Sequence, residues 1–140
     1  MSKFKIKIKT LSAIVLAVFF SLYAPTAETI KPDKEVGFHS DVLRVTPLKG
    51  EIPNVKDFSL RMRLITIEPG GHTSFHVHKN RPGIVYIVSG SIINHEEGKP
   101  PKEISAGEIF YETQGYAHYI ENKGNISATL ISADIVINGN

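Results

Sequence analysis

The sequence predicts an all-β domain, a sandwich or a barrel, on three observations. After residue 27, runs rich in β-branched and aromatic residues recur at short intervals between Gly, Pro and Asn punctuation. No ten-residue window there carries a helical stripe; Val55 to Ser59 offers at most one turn. The chain of 140 residues is long enough for one domain and one core. With 41% hydrophobic and 21% charged residues, it should fold rather than remain disordered.

The first segment is an address. Lys3, Lys5, Lys7 and Lys9 precede the apolar run Leu11 to Ala24, which ends in Ala24-Pro25-Thr26-Ala27. This order reads as a secretory signal over residues 1–27, with cleavage expected after Ala27 and an exported product, periplasmic or extracellular. The apolar run is shorter than the ~20 residues of a spanning helix, so no stable membrane anchor is expected. Formal net charge is +2 for the whole chain. Removing residues 1–27 leaves 12 Lys and Arg against 14 Asp and Glu, with no basic run able to neutralise several phosphates. Nucleic acid is excluded as a partner. The lack of Cys excludes disulfides, thiolate metal sites, a Cys nucleophile and a lipid-modified N-terminal Cys.

Residues 28–57 form an arm containing Pro32, Pro47 and Pro53, with an edge strand expected near Val42 to Thr46. The barrel domain is assigned to residues 58–140. Its first strand is the alternating segment Leu60 to Ile67, stopped at Pro69-Gly70-Gly71. Ile84 to Val88 is the next, and Ser89-Gly90 reads as a hairpin turn into Ser91 to Asn94. Turns follow at Glu97 to Pro101, Ala106-Gly107 and Gly115. The apolar stretch Ile126 to Ile137 makes the last strand.

Six His is a high count, and their arrangement says more than their number. His76 and His78 stand two apart, so on a strand both imidazoles project from one face, where two nitrogens can share a metal ion. An isolated pair of this kind is equally a pair of surface histidines. The surrounding spacing is more specific. Gly70, five residues, His76, one residue, His78 and then Gly90 form one group. Gly107, five residues, Thr113-Gln114-Gly115, two residues, His118, three residues and Asn122 form another.

These two groups resemble the two motifs of the cupin family over residues 58–137. The resemblance implies an antiparallel β-barrel of jelly-roll type (a double-stranded β-helix), with His76, His78 and His118 as ligands of a divalent ion such as Fe, Ni, Zn, Cu or Mn. It also implies a small-molecule ligand or substrate inside the barrel, and a homodimer in which the arm takes part. Two positions depart from the pattern. Thr113 replaces a Pro, and Gly83 stands where the family carries a glutamate ligand.

Glycine offers no side-chain ligand, which leaves the site one negative charge short. Three readings stay open. A three-histidine site is itself catalytic, as in the thiol dioxygenases this constellation resembles. Another side chain fills the gap, His72, Tyr86, Tyr111, Glu112 and Tyr116 being the candidates. Alternatively, the site is weak or vestigial, and the domain binds or senses a small ligand without catalysis. His39 and His95 are expected at the surface, and Arg81 lies where it could reach an anionic substrate. If the protein is an enzyme, oxygenation is the leading chemistry, with isomerase or lyase chemistry next.

Overall fold

Strands form where the β-branched runs stand. The computed structural model describes residues 30–138, so the expected signal sequence lies outside the described residues. Nine strands follow in order: β1 (Val36–Pro47), β2 (Phe58–His72), β3 (His76–Val77), β4 (Gly83–Ser89), β5 (Ser91–Glu96), β6 (Lys102–Ser105), β7 (Ile109–Glu112), β8 (Ala117–Glu121) and β9 (Ala128–Ile137). Their order in space is β6-β5-β8-β2-β9-β4-β7, with β1 on β2 and β3 on β8. The strands pair antiparallel and make a nearly closed barrel, the architecture the sequence predicts. Among the described residues there is no helix; Phe58 and Ser59, allotted to a helical turn, already belong to β2.

Two local expectations change. The edge strand of the arm is longer than Val42 to Thr46, because β1 pairs with β2 from Val36↔His72 to Pro47↔Ser59. Ser89-Gly90 is not a hairpin turn: β4 pairs with β7 and β9, whereas β5 pairs with β6 and β8. Gly90 instead carries the chain from β4, beside β9, to β5, beside β8. Its φ of 74° suits glycine, and an added Cβ would come within 3.0 Å of Ala128 Cα and Ser127 O.

Alternation sets the core. Ile65 and Ile67 of β2, Val85 and Ile87 of β4, Phe110 of β7 and Leu130 of β9 point inward and pack with Ile92, Ile104 and Ile120. Further along β2 the same inward parity brings in Ser59, Arg61 and Arg63, and turns Leu60 and Met62 out to solvent. Apolar residues therefore line the outside of β2 at its polar end, and arginines the inside.

Candidate metal centre

The barrel brings His76, His78 and His118 to one point. His76 on β3 and His118 on β8 are register partners. His78 follows on the same face as His76, anchored by its N–H to Tyr116 O at 2.8 Å. One nitrogen from each of the three rings lies within 4.8 Å of the others.

Hydrogen bonds fix which nitrogens carry protons. Nδ1 of His76 faces Ser74 O at 2.9 Å, and Nδ1 of His78 faces Arg81 O at 3.2 Å. A carbonyl only accepts, so both Nδ1 atoms donate. Nδ1 of His118 donates to Asn94 Oδ1 at 2.8 Å, and Asn94 Nδ2 in turn donates to the Tyr116 hydroxyl at 2.7 Å. The Nε2 atoms are left as lone pairs, and they face one another: His76 to His78 at 3.0 Å, His78 to His118 at 3.2 Å. Bare lone pairs so close repel unless positive charge sits among them. The separations suit nitrogens that share an ion at ~2.1 Å. Burial pushes His78 down to about 4 and lowers His76 as well, so both rings are neutral donors near pH 7.

A carboxylate stands beside Gly83 on the neighbouring strand. Gly83 of β4 pairs with Glu112 of β7 on one side and with Asp134 of β9 on the other. All three point inward, and the bare glycine leaves room for both acids. An added Cβ would lie 3.1 Å from Asp134 Cβ and 3.3 Å from both Glu112 Oε2 and Ala133 O. Glu112 is buried, with Oε1 3.4 Å from His118 Nε2 and Oε2 3.4 Å from His78 Nδ1. Burial pushes its carboxyl up, but the hydrogen bond with His118 and the charge of the three imidazoles when protonated outweigh this and hold it below the usual range. The three imidazole nitrogens thus fit a divalent ion, with the Glu112 carboxylate 3.4 Å from one of them.

The remaining candidates separate cleanly. Tyr86 and Tyr111, considered for the site, face outward on β4 and β7, because alternation assigns the inward positions to Val85, Ile87, Phe110 and Glu112. His72 ends β2 with Nδ1 on Thr73 O and is not part of the cluster. Tyr116 lies behind the site, its ring edge-on to His118 at 4.7 Å. His39 is exposed beside Glu68, as expected. His95 is half-buried rather than fully exposed: it stacks on Tyr119 at 4.3 Å and bonds Glu121.

Asn122, the last motif position, is structural. Its Nδ2 donates to Ile67 O at 2.9 Å and Ile126 O at 2.8 Å, and its Oδ1 accepts from Gly124 N at 2.8 Å. Sequence reasoning missed Asn94, Arg63 and Asp134. Each is a polar residue at an inward position of an otherwise apolar strand face, which was the available clue.

The histidines open onto a cavity of about 260 Å³. Phe38, Ile65, Val85 and Phe110 supply apolar wall; Glu112, Arg63 and Arg81 supply charge. An antiparallel barrel with converging inward imidazoles beside a small cavity defines a barrel suited to metal and ligand binding. The chain belongs to the cupin family: the cupin domain matches residues 63–134.

Among curated relatives, the chain is similar to the oxalate-binding protein of Thermotoga maritima, 32% identical over 77 residues that cover 55% of this chain and 60% of that protein. It is also similar to germin-like protein 5-1 of Oryza sativa subsp. japonica, 29% identical over 87 residues, covering 59% of this chain and 39% of the relative. The chain therefore spans less than two thirds of either. In fold it resembles a predicted oxalate decarboxylase from Thermotoga maritima (TM-score 0.55, 20% identity, 79% of this chain and 97% of the other). It likewise resembles the polyketide cyclase RemF from Streptomyces resistomycificus (TM-score 0.60, 15% identity, 79% and 72%).

Proposed function

We propose that this cupin is exported and holds a divalent metal ion through His76, His78 and His118, with Glu112 as a fourth ligand, and that it binds or transforms a small molecule in the adjoining cavity. The observation that carries this reading is the set of three Nε2 lone pairs, 3.0 and 3.2 Å apart in sequence, with every Nδ1 proton already committed elsewhere. Second partners of this kind orient metal-binding imidazoles and raise their basicity. Nitrogen and carboxylate donors suit Fe, Ni, Zn, Cu or Mn.

A bound ion would supply Lewis acidity and, if redox-active, electrons to dioxygen. The chain itself contributes orientation, a dry wall of Phe and Ile side chains, and a carboxylate that lowers the charge of the site. Dioxygenase chemistry is the leading enzymatic reading. Likeness to a protein named for binding oxalate supports a second, a non-catalytic binding module. Oxygen uptake with candidate thiols and phenolics separates the two.

Export rests on the order of residues 1–27, and the mass of the protein recovered outside the cytoplasm tests it. A homodimer is part of the reading. Two outward rows, Met62-Ala133-Ile84-Tyr111 and Leu64-Ile131-Tyr86-Ile109, cross β2, β9, β4 and β7 in register and form a continuous apolar surface for a second copy.

The decisive measurement is metal content of the untagged mature protein beside a His76→Ala/His118→Ala variant. Stoichiometric metal that the variant loses supports the site. No metal in either, even after incubation with all five ions, would sink it.

A further inference from the structure

The cavity carries more positive charge than the fold uses. Three guanidinium groups converge on Asp134, whose side chain is fully buried. Arg61 takes both oxygens, Nε to Oδ1 at 3.0 Å and Nη2 to Oδ2 at 2.7 Å. Arg63 and Arg81 come no nearer to Oδ2 than 3.6 and 3.9 Å, beyond hydrogen-bond range.

Arg63 is thus underused. Of its five donors, the one side-chain hydrogen bond is Nη2 to Ser132 Oγ at 3.4 Å, and its Nε is buried with no partner. Burial lowers its pKa, as do Arg61 and Arg81 beside it, while Asp134 and Glu112 oppose the shift. Three guanidinium charges face two buried carboxylates, Asp134 and Glu112. Exposed Glu35 at the cavity wall balances the third guanidinium, so the surplus is the two positive charges that a divalent ion on the histidines would add. Buried charge in such surplus is costly unless an anion accompanies it.

We propose that Arg63 and Arg81 form an anion subsite for the carboxylate of a small organic acid, whose far end reaches the histidine cluster. Both arginines line the same cavity as His76, His78 and His118. A carboxylate presents two coplanar oxygens to a guanidinium edge. Much of the remaining wall, Phe38, Ile65, Val85, Phe110, Ile120 and Leu130, suits the carbon skeleton of an acid, with hydroxyls only at Thr73, Ser74 and Ser132. At about 260 Å³ the cavity admits a compact molecule only. The subsite deepens the proposed function and rests on it for the surplus of positive charge and for the reach to the metal, whereas the unpartnered Arg63 Nε stands without it.

Isothermal titration of the mature protein with malonate, malonamide and inorganic phosphate, with and without Mn(II), tests it. Saturable binding of malonate, absent for its neutral isostere and weaker for phosphate, is expected. Arg63→Gln and Arg81→Gln should each weaken malonate by at least ~10-fold and leave metal stoichiometry unchanged, and Arg44→Gln on exposed β1 should change nothing. Equal binding of malonate and malonamide, preference for phosphate, or indifference to both arginine substitutions overturns the subsite. If the protein takes up no metal, the metal reading has failed; arginine-dependent malonate binding to the metal-free protein still supports the subsite, and its absence overturns it. Should Arg63→Gln not fold, Arg81→Gln and the loss of malonate binding with rising salt decide the matter.

Discussion

Glu112 lies directly across the β4–β7 ladder from Gly83, and its carboxylate occupies the space that a side chain at Gly83 would enter. An acid thus stands one strand over from the position where the family carries its glutamate. On this geometry Glu112→Gln, which keeps the shape and removes the charge, should weaken metal binding by roughly 10–100-fold or more. Competition against a chromophoric chelator measures it, and an unchanged affinity would reduce Glu112 to a packing role.

The converse substitution tests the same space. Gly83→Ala places a Cβ 3.1 Å from Asp134 Cβ and 3.3 Å from the Ala133 carbonyl, neither of which is a flexible chain end. A loss of about 1–3 kcal/mol is expected from overpacking, read as a lower midpoint in urea. Wild-type stability would mean that β4 shifts freely against β9.

Two buried asparagines should behave oppositely. Asn94 links the Tyr116 hydroxyl to His118 Nδ1, so Asn94→Ala should lower metal affinity by ~10–100-fold. Asn122 ties Ile67, Gly124 and Ile126 together away from the imidazoles, so Asn122→Ala should cost about 2–4 kcal/mol of stability and leave metal affinity nearly intact. Chelator competition and urea melts on the same two proteins read both effects.

Acid should destabilise the metal-free protein. Burial, opposed in part by Glu112 and by the Arg81 carbonyl, holds His78 at about 4 against 6.5 in the unfolded chain. Between those values the unfolded chain binds the extra proton, so this contribution is complete above pH ~6.5 and is lost as pH falls towards ~4. His76 is shifted the same way and adds to the slope. Urea melts in EDTA from pH 7.5 to 4 would show it, and stability that stays level over that range would contradict it.

The outward rows on β2, β9, β4 and β7 should hold two copies together. Met62→Lys with Tyr86→Lys, both substitutions lying on exposed positions of that face, should convert a dimer to a soluble monomer in light scattering. A wild-type protein that is already monomeric at all concentrations would remove this surface from the account.

Much of the molecule was legible in the chain. The glycine, histidine and asparagine spacings point to the barrel and to His76, His78 and His118, because fixed turn lengths and two-residue periodicity are local properties written in sequence order. Punctuation alone misread Ser89-Gly90 as a hairpin turn, since which strands pair is a non-local matter. Tyr86 and Tyr111 were candidates on residue type, and strand parity turned them outward.

What the sequence determined by itself is thus a small all-β chain with a three-imidazole motif and no glutamate in its usual place. Only the tertiary structure decided which acid stands near the imidazoles. Arg61, Asp134, Gly83 and Glu112 come from four strands and form one inward row. Alternation says that a strand has two faces but not which one is the interior; that follows from how β2, β9, β4 and β7 close on one another. Closure sends Leu60 and Met62 outward, brings the arginines in, and leaves beside a bare glycine the space that Glu112 fills.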